Sequence, residues 1–194
     1  MTKRQDKYQL ILEAAVEAIA ETGFYQCQVS KIARLAGVAD GTIYLYFKNK
    51  EDILIRLFQE RMGEFIVDVR DQIAKCQTTS SRLKAIMAAH FNYMEKNRSY
   101  AIVTQLEVRQ SDSRIRNAIR EPVLEYFRVI EEVIERGIES KDIANVNVRA
   151  ARQMIFGAMD EAVTDWLMAR KPRLLLNQVE PIFYLFAGAL RLQE

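Results

Sequence analysis

Four arginine side chains that could bind phosphate lie close together in the second half of the chain. They are Arg109, Arg114, Arg116 and Arg120, and Asp112 is the only acidic residue in the twelve positions that they span. Because a guanidinium group binds phosphate through paired N–H donors, the cluster is a candidate site for the phosphates of a ligand. The alternative is a solvated surface on which these arginines pair with nearby glutamates.

A pocket for the apolar part of such a ligand is predicted from the residues on either side of this cluster. Methionine and aromatic side chains, which shape apolar pockets, are frequent there, and polar residues such as Gln105 and Asp160 interrupt them. The combination suits a fatty chain that ends in phosphates, whereas ordinary core packing explains most of these side chains singly. We predict that the ligand contacts Phe91, Tyr93, Gln105, Arg109, Phe127, Met154, Met159 and Asp160. We predict that its phosphates contact Arg109, Arg114, Arg116 and Arg120.

Catalysis and metal binding find little support in the residue types. His90 is the only histidine and lies among apolar residues, and the chain has no G-x-S-x-G motif and no glycine-rich phosphate loop. Cys27 and Cys76 are far apart and lack the spacing of a metal site. We therefore predict no enzyme, such as a thioesterase, with no catalytic residue, no metal and no cofactor.

The elements that position these residues are predicted to be helices throughout. Glycine and proline are scarce, seven and three among 194 residues, and no strand pattern occurs, so we expect an all-α fold of about nine helices. Apolar content of 49% is enough for a core. Breaks between helices are predicted near residues 77–81, 96–100, 109–113, 140–147 and 169–173.

The first fifty residues predict a helix-turn-helix module. A first helix ends near Gly23, a second runs from a Ser30 cap to Gly37, and a third covers "DGTIYLYF", residues 40–47. Asn49 is the predicted N-cap of a long fourth helix. Two short helices joined by a tight turn are the arrangement in which the second helix enters the major groove of DNA.

Two tyrosines in the third helix are predicted to face outward. Helical spacing places Ile43 and Phe47 in the core and points Tyr44, Leu45 and Tyr46 largely away from it. A tyrosine hydroxyl can bind a phosphate oxygen, and a leucine can contact a thymine methyl group. DNA is therefore the expected partner of this surface.

The stretch "VSKIARLAGVADGTIYLYFKNKEDIL" resembles the TetR-type transcriptional regulators. The resemblance implies a DNA-binding domain over residues 1–50, with its helix-turn-helix at about 28–47, and a ligand-binding and dimerisation domain over 51–194. The recognition helix has no Lys or Arg for bidentate readout of guanine, and Asp40 is expected to cap it rather than to accept from a cytosine. The DNA-binding residues implied are Gln28, Ser30, Lys31, Asp40, Gly41, Thr42, Tyr44, Leu45, Tyr46 and Lys50.

The last two helices are predicted to form a dimer interface. They are apolar on more than one face and mix small with large residues, which lets helices approach closely. A twofold dimer is also what a helix-turn-helix needs to reach successive major-groove half-sites. The alternative is burial within one subunit. We predict that the interface contains Ile155, Trp166, Ile182, Phe186 and Ala189.

The stretches "AIVTQLEVRQSDSRIR" and "VRAARQMIFGAMDEAVTDW" resemble the fatty-acid-degradation regulators of the same family in Gram-positive bacteria. This resemblance implies a cytoplasmic homodimer that represses β-oxidation genes by binding a palindromic operator in double-stranded DNA. Long-chain acyl-CoA would be the effector that releases it, and no membrane partner is expected. The alternative is a repressor of the same architecture that senses a drug or a free fatty acid and controls efflux or other lipid genes.

Overall fold

The structure is a computed structural model that describes residues 3–110, 112–171 and 173–192, and helices make up most of these ranges. They contain no strand, so the all-α prediction is confirmed. Across these ranges every helix is too short or too polar to cross a membrane. The α-helices are α1 (Lys3–Thr22), α2 (Val29–Leu35), α3 (Asp40–Ile43), α4 (Lys50–Ala74), α5 (Thr79–Lys96), α6 (Arg98–Ile102), α7 (Val108–Gln110), α8 (Ser113–Ala118), α9 (Arg120–Glu139), α10 (Val148–Met168) and α11 (Val179–Leu190).

Two further helical turns depart from α geometry. A π-helical turn, Val103–Glu107, joins α6 to α7 without a break, and a 3₁₀ turn, Leu175–Gln178, precedes α11. We predicted one helix between the breaks near residues 96–100 and 109–113, whereas the π turn divides this segment into separate elements. A π turn contains an extra residue per turn that apolar periodicity alone does not reveal.

The predicted helix caps and ends are confirmed in some places and wrong in others. Asn49 accepts a hydrogen bond from the Asp52 amide at 2.8 Å, which confirms the cap of α4. α1 ends before Gly23, whose φ of +77° suits glycine. The predicted Ser30 cap is wrong, because α2 begins at Val29 after Gln28, which makes no side-chain cap. The predicted extent of the third helix, residues 40–47, is also wrong, because α3 ends at Ile43 and Tyr44, Leu45 and Tyr46 lie in the turn that follows it.

The described chain forms two compact units, and the first is Met1–Arg61 with Arg98–Arg120. Its core joins α1, α2 and α3 through the buried side chains of Ile32, Ala33, Ile43 and Phe47. Tyr8 of α1 stacks on Phe47 with ring centroids 5.0 Å apart. α1 also contacts α6 and the π turn, so a segment distant in sequence lies against the helix-turn-helix.

The second unit is Met62–Asn97 with Glu121–Glu194. Aromatic and aliphatic side chains of α4, α5, α9 and α10 form its core, including Phe65, Phe91, Tyr126 and Met159, each 2% exposed or less. α11 and the 3₁₀ turn pack against α5 and α10.

Gly137 in α9 provides a test of the packing in this second unit. A Cβ atom there would lie 2.7 Å from both Ile143 Cδ1 and Thr79 Cγ2, closer than carbon atoms approach. We expect Gly137→Ala to lower the free energy of unfolding by about 1–3 kcal/mol, because the neighbouring side chains must shift. Thermal or urea denaturation measures this.

The matched control is Gly63→Ala in α4, where an added Cβ meets no atom within 4 Å. There alanine should raise the free energy of unfolding by about 0.5–1 kcal/mol, because glycine is the poorer helix former. Equal effects of the two substitutions would contradict the close approach at Gly137.

Candidate functional site

The exposed face of the helix-turn-helix carries most of the residues predicted to contact DNA. Gln28, Ser30 and Asp40 are exposed, and the side chains of Tyr44 and Leu45 are 57% and 74% exposed. Thr42 is half-buried. The turn between α2 and α3 contains Gly37 with φ of +65°, a left-handed conformation that suits glycine. The side chains of this face are thus presented outward by a small buried core.

Gly41 and Asp40 begin the helix α3, and neither has a structural role among the described residues that accounts for its residue type. A Cβ atom at Gly41 would meet no atom of this chain within 4 Å, so internal packing does not require glycine there. Close approach of a partner to the backbone at Gly41 stays a prediction. The predicted cap at Asp40 is wrong, because Ala39 is the N-cap of α3 without any side-chain hydrogen bond, and Asp40 is the first helical residue.

Tyr46 lines a groove that sequence reasoning did not find. Its ring centroid lies 6.3 Å from that of Tyr8, and both line a shallow groove of about 390 Å³ with Leu45 and two arginines, Arg4 and Arg56. These arginines come from α1 and α4, so only folding places them beside the recognition helix. Burial and hydrogen bonding to Glu60 raise the pKa of Tyr8, which therefore stays protonated.

Lys50 and Lys31 already have partners inside the chain. The Lys50 ammonium donates to the carbonyl oxygens of Phe24, Tyr25 and Cys27 at 2.7, 3.1 and 3.1 Å. Its three N–H groups are therefore used, and the predicted phosphate contact is corrected to a structural role. Lys31 donates to Glu21 at 2.8 Å, and this hydrogen bond lowers the pKa of Glu21.

The arginine cluster is exposed, and Asp112 lies beside it. Arg109, Arg114, Arg116 and Arg120 all present exposed side chains in the first unit. Asp112 binds the Arg114 guanidinium at 2.9 Å. As the N-cap of α8, its carboxylate also accepts hydrogen bonds from the backbone amides of Arg114 and Ile115. These interactions lower the pKa of Asp112. Gln105, in the π turn of the same unit, is buried at 6% exposure.

The other predicted ligand residues lie in the second unit, within or beside an aromatic cluster. Phe127 contacts Phe156 edge to face at 4.8 Å between centroids, and Arg152 lies 4.2 Å over the Phe127 ring. Tyr93 contacts Phe65 at 5.0 Å. Phe91 and Met159 are fully buried, and Met154 and Asp160 are half-buried.

His90 is the polar residue at the centre of this cluster. Its ring stacks on Tyr126, and its Nδ1 lies 3.2 Å from the Tyr126 hydroxyl. Its Nε2 is buried with no hydrogen-bond partner among the described residues. Burial lowers the pKa of His90 to about 4, although the charge of Asp160 acts in the opposite direction. His90 is therefore neutral at pH 7. Sequence reasoning assigned His90 and Phe156 to the core or the pocket but missed Tyr126, whose position becomes evident only when α5, α9 and α10 meet.

The predicted dimer residues divide into exposed and buried groups. Ile155 and Phe186 are 1% and 4% exposed within one chain, so their assignment to an interface is wrong: they are core residues of the subunit. Trp166 and Ile182 are half-buried, and Ala189 is exposed. Tyr184 and Leu185, which we did not choose, are 78% and 67% exposed and line a groove of about 640 Å³ along α11. An apolar run shows that a helix is buried on several faces but not which face a partner covers.

Comparison with known proteins matches both halves of the chain to regulators. Residues 11–57 match the model of bacterial regulatory proteins of the tetR family, and residues 58–189 match the C-terminal region of YsiA-like proteins. The chain is 50% identical over 169 residues to the fatty acid metabolism regulator protein of Bacillus subtilis, covering 87% of both chains.

Solved structures of similar regulators share the fold. FadR from Bacillus subtilis in complex with stearoyl-CoA is 47% identical, with 92% of this chain and 97% of that one covered and a TM-score of 0.89. The fatty acid degradation regulator FadR from Bacillus halodurans is 46% identical, with 96% and 97% covered and a TM-score of 0.91.

The structural role of Lys50 predicts that its loss destabilises the first unit. We expect Lys50→Met to lower the free energy of unfolding by about 2 kcal/mol, because three backbone carbonyls lose a charged donor. Urea denaturation checks this. The adjacent and exposed Lys48 is the control, since Lys48→Met makes the same change of charge. Equal stabilities for the two variants would contradict the structural role.

The neutral, buried His90 predicts a pH dependence of stability. Its folded pKa of about 4 lies below the ordinary value of 6.5, so its stabilising effect is complete above pH 6.5 and is lost as the pH falls toward 4. Between pH 7 and pH 5 the wild type should lose about 2 kcal/mol through this group. His90→Asn cannot titrate there, so its denaturation midpoint should fall less over the same interval. Parallel pH profiles would contradict the buried neutral histidine.

Proposed function

The chain belongs to the TetR family of bacterial regulatory proteins, and we propose that it represses fatty acid degradation genes and is released from DNA by long-chain acyl-CoA. The observation that carries this proposal is the 50% identity to the fatty acid metabolism regulator of Bacillus subtilis over 87% of both chains. A structure of FadR from the same organism, similar to this chain, holds stearoyl-CoA. No catalytic role is proposed, and we place the protein in the cytoplasm, where its operator lies.

We assign DNA binding to residues 1–50 and effector binding with dimerisation to residues 51–194. The outward Tyr44 and Leu45, in the turn that follows α3, support base contacts, because 57% of Tyr44 and 74% of Leu45 are exposed. Gln28, Ser30, Lys31, Asp40, Gly41, Thr42 and Tyr46 complete the proposed DNA surface. Since the recognition helix carries no Lys or Arg, readout by methyl contacts and DNA shape is favoured over bidentate binding of guanine.

Two sets of effector-binding residues are proposed, and each is described within its own unit. In the second unit, an acyl chain would contact the aromatic and methionine side chains Phe91, Tyr93, Phe127, Met154 and Met159, and Asp160 is the proposed polar contact. In the first unit, Gln105 is the proposed polar contact. The CoA phosphates would bind the exposed guanidinium groups of Arg109, Arg114, Arg116 and Arg120. Support comes from the exposure of all four arginines and from the burial of Phe91 and Met159.

A dimer of this chain is expected to use α10 and α11. Large apolar side chains such as Tyr184 and Leu185 are exposed on α11, which is unusual for a helix without a partner. Trp166, Ile182 and Ala189 remain in the proposed interface. A twofold dimer presents two recognition helices to half-sites about 34–36 Å apart on a palindromic operator.

Release from DNA requires only a modest coupling free energy between the two sites. The effector must prefer a conformation in which the recognition helices no longer match their half-sites. A preference of about 1–3 kcal/mol changes operator affinity about 5- to 150-fold.

A titration with stearoyl-CoA tests this function. We expect saturating stearoyl-CoA to weaken binding to a duplex, selected with the wild-type protein from a randomised pool, by about 5- to 150-fold. Fluorescence anisotropy measures the affinity, and free stearate and a cationic dye are titrated in parallel. Release by the dye or by stearate alone would favour the alternative repressor that senses another apolar ligand. No change with stearoyl-CoA would contradict acyl-CoA regulation.

The arginine assignment is checked in the same titration. Arg116→Ala combined with Arg120→Ala should weaken binding of stearoyl-CoA about 10-fold or more, because phosphate contacts to guanidinium are lost. Binding of stearate should not change. Arg170→Ala, an exposed cation outside the cluster, is the control.

A further inference from the structure

We propose that the π-helical turn Val103–Glu107 transmits effector binding to the DNA-reading helices by breaking the hydrogen bond between Glu107 and the backbone of Phe24. The inference rests on the proposed function, because it concerns how the effector region and the DNA surface are coupled. All the residues that make the contact belong to the first unit.

The contact between Glu107 and Phe24 is short and closely fitted. The Phe24 amide donates to Glu107 Oε2 at 2.7 Å, directly after the end of α1. A Cβ atom at the preceding Gly23 would lie 3.4 Å from the same oxygen, and Gly23 has φ of +77°. That distance is an ordinary van der Waals contact, so the positive φ rather than the carboxylate favours glycine at position 23.

The loop that receives Glu107 is held from a second side by Lys50. As described above, the Lys50 ammonium donates to the carbonyl oxygens of Phe24, Tyr25 and Cys27. α2 begins at Val29, only two residues beyond Cys27. Two charged side chains thus position the segment that leads into α2 and α3, and loss of either frees that segment to move.

The π turn is an element with a defined alternative geometry. The Val108 amide donates to the Val103 carbonyl five residues back, and the Thr104 hydroxyl reaches the carbonyls of Tyr100 and Ala101 at 3.0 and 3.1 Å. Conversion to an α turn would advance the following residues by one position, about 100° and 1.5 Å. Glu107 would then lose the Phe24 amide.

The same turn carries residues assigned to the effector region. Gln105 is buried within it, and Arg109 follows Glu107 by two residues. A ligand that contacts these side chains acts directly on the helical register that positions Glu107. The ligand shifts the equilibrium only by its difference in affinity for the two registers, so the switch needs no larger rearrangement.

The test compares Glu107→Ala, Glu107→Gln and Thr104→Val with the wild type. For each protein, calorimetry measures stearoyl-CoA binding, and anisotropy measures affinity for the selected duplex with and without saturating stearoyl-CoA. We expect Glu107→Ala to bind stearoyl-CoA at least as tightly as the wild type, because binding no longer has to break the bond to Phe24, while its ratio of the two DNA affinities falls toward one. Glu107→Gln keeps an acceptor oxygen and should retain an intermediate ratio. Thr104→Val removes the hydroxyl from the π turn and should reduce the ratio as well.

Glu17→Ala is the matched control. Glu17 is another carboxylate that joins α1 to α6, accepting from Ser99 Oγ at 2.9 Å, but it lies outside the π turn. It should leave the ratio unchanged. The inference would be overturned if Glu107→Ala kept the wild-type ratio of DNA affinities, or if Glu17→Ala lowered that ratio as much. Either result leaves the proposed function standing, provided that the wild type still binds stearoyl-CoA and is released from DNA by it.

Hydrogen exchange at Phe24 gives a readout that a merely structural contact would not change. In the wild type, stearoyl-CoA should accelerate exchange of the Phe24 amide, because its acceptor leaves. Unchanged or slower exchange would overturn the inference. If the wild type fails to bind stearoyl-CoA at all, the proposed function fails and this inference fails with it, and calorimetry alone distinguishes that outcome.

Discussion

The backbone between α1 and α2 has no helix to satisfy its polar groups, and the arrangement of the first unit depends on how they are satisfied. Carbonyl and amide groups buried without partners cost free energy, so the loop needs donors and an acceptor from elsewhere. Lys50 supplies the donors, and Glu107 supplies the acceptor. Both are charged, so each bond is stronger than one between neutral groups. The short α2 and α3 are too small to be stable helices alone and take their positions from this loop and from the core around Phe47.

The two units differ in the side chains they expose and in those they bury. The first presents exposed polar and aromatic side chains on a small rigid support, as recognition of a charged polymer requires. The second encloses stacked and edge-to-face rings around one neutral histidine, where Arg152 lies over Phe127 and donates to Glu131 at 3.1 Å. Adaptable methionine and aromatic packing suits a flexible apolar ligand, since such side chains rearrange at small cost.

A repressor must also change between two conformations of similar free energy, and the π turn is well suited to this. Its geometry is less favourable than that of an α turn, and side-chain hydrogen bonds such as that of Thr104 help to hold it. An element near balance between two registers responds to a small difference in ligand affinity.

The sequence by itself determined the helical fold, the outward direction of Tyr44 and Leu45, and the Asn49 cap of α4, because periodicity and caps depend on residues a few positions apart. Only the tertiary structure decided which distant groups meet. Lys50 reaches a loop 26 positions earlier, Glu107 bonds an amide 83 positions away, and Arg4 comes to line a groove with Tyr46. Ile155 and Phe186 were assigned to an interface and are buried in the subunit instead. Partner choice and the burial of an apolar face depend on which elements pack together, and no local pattern contains that information.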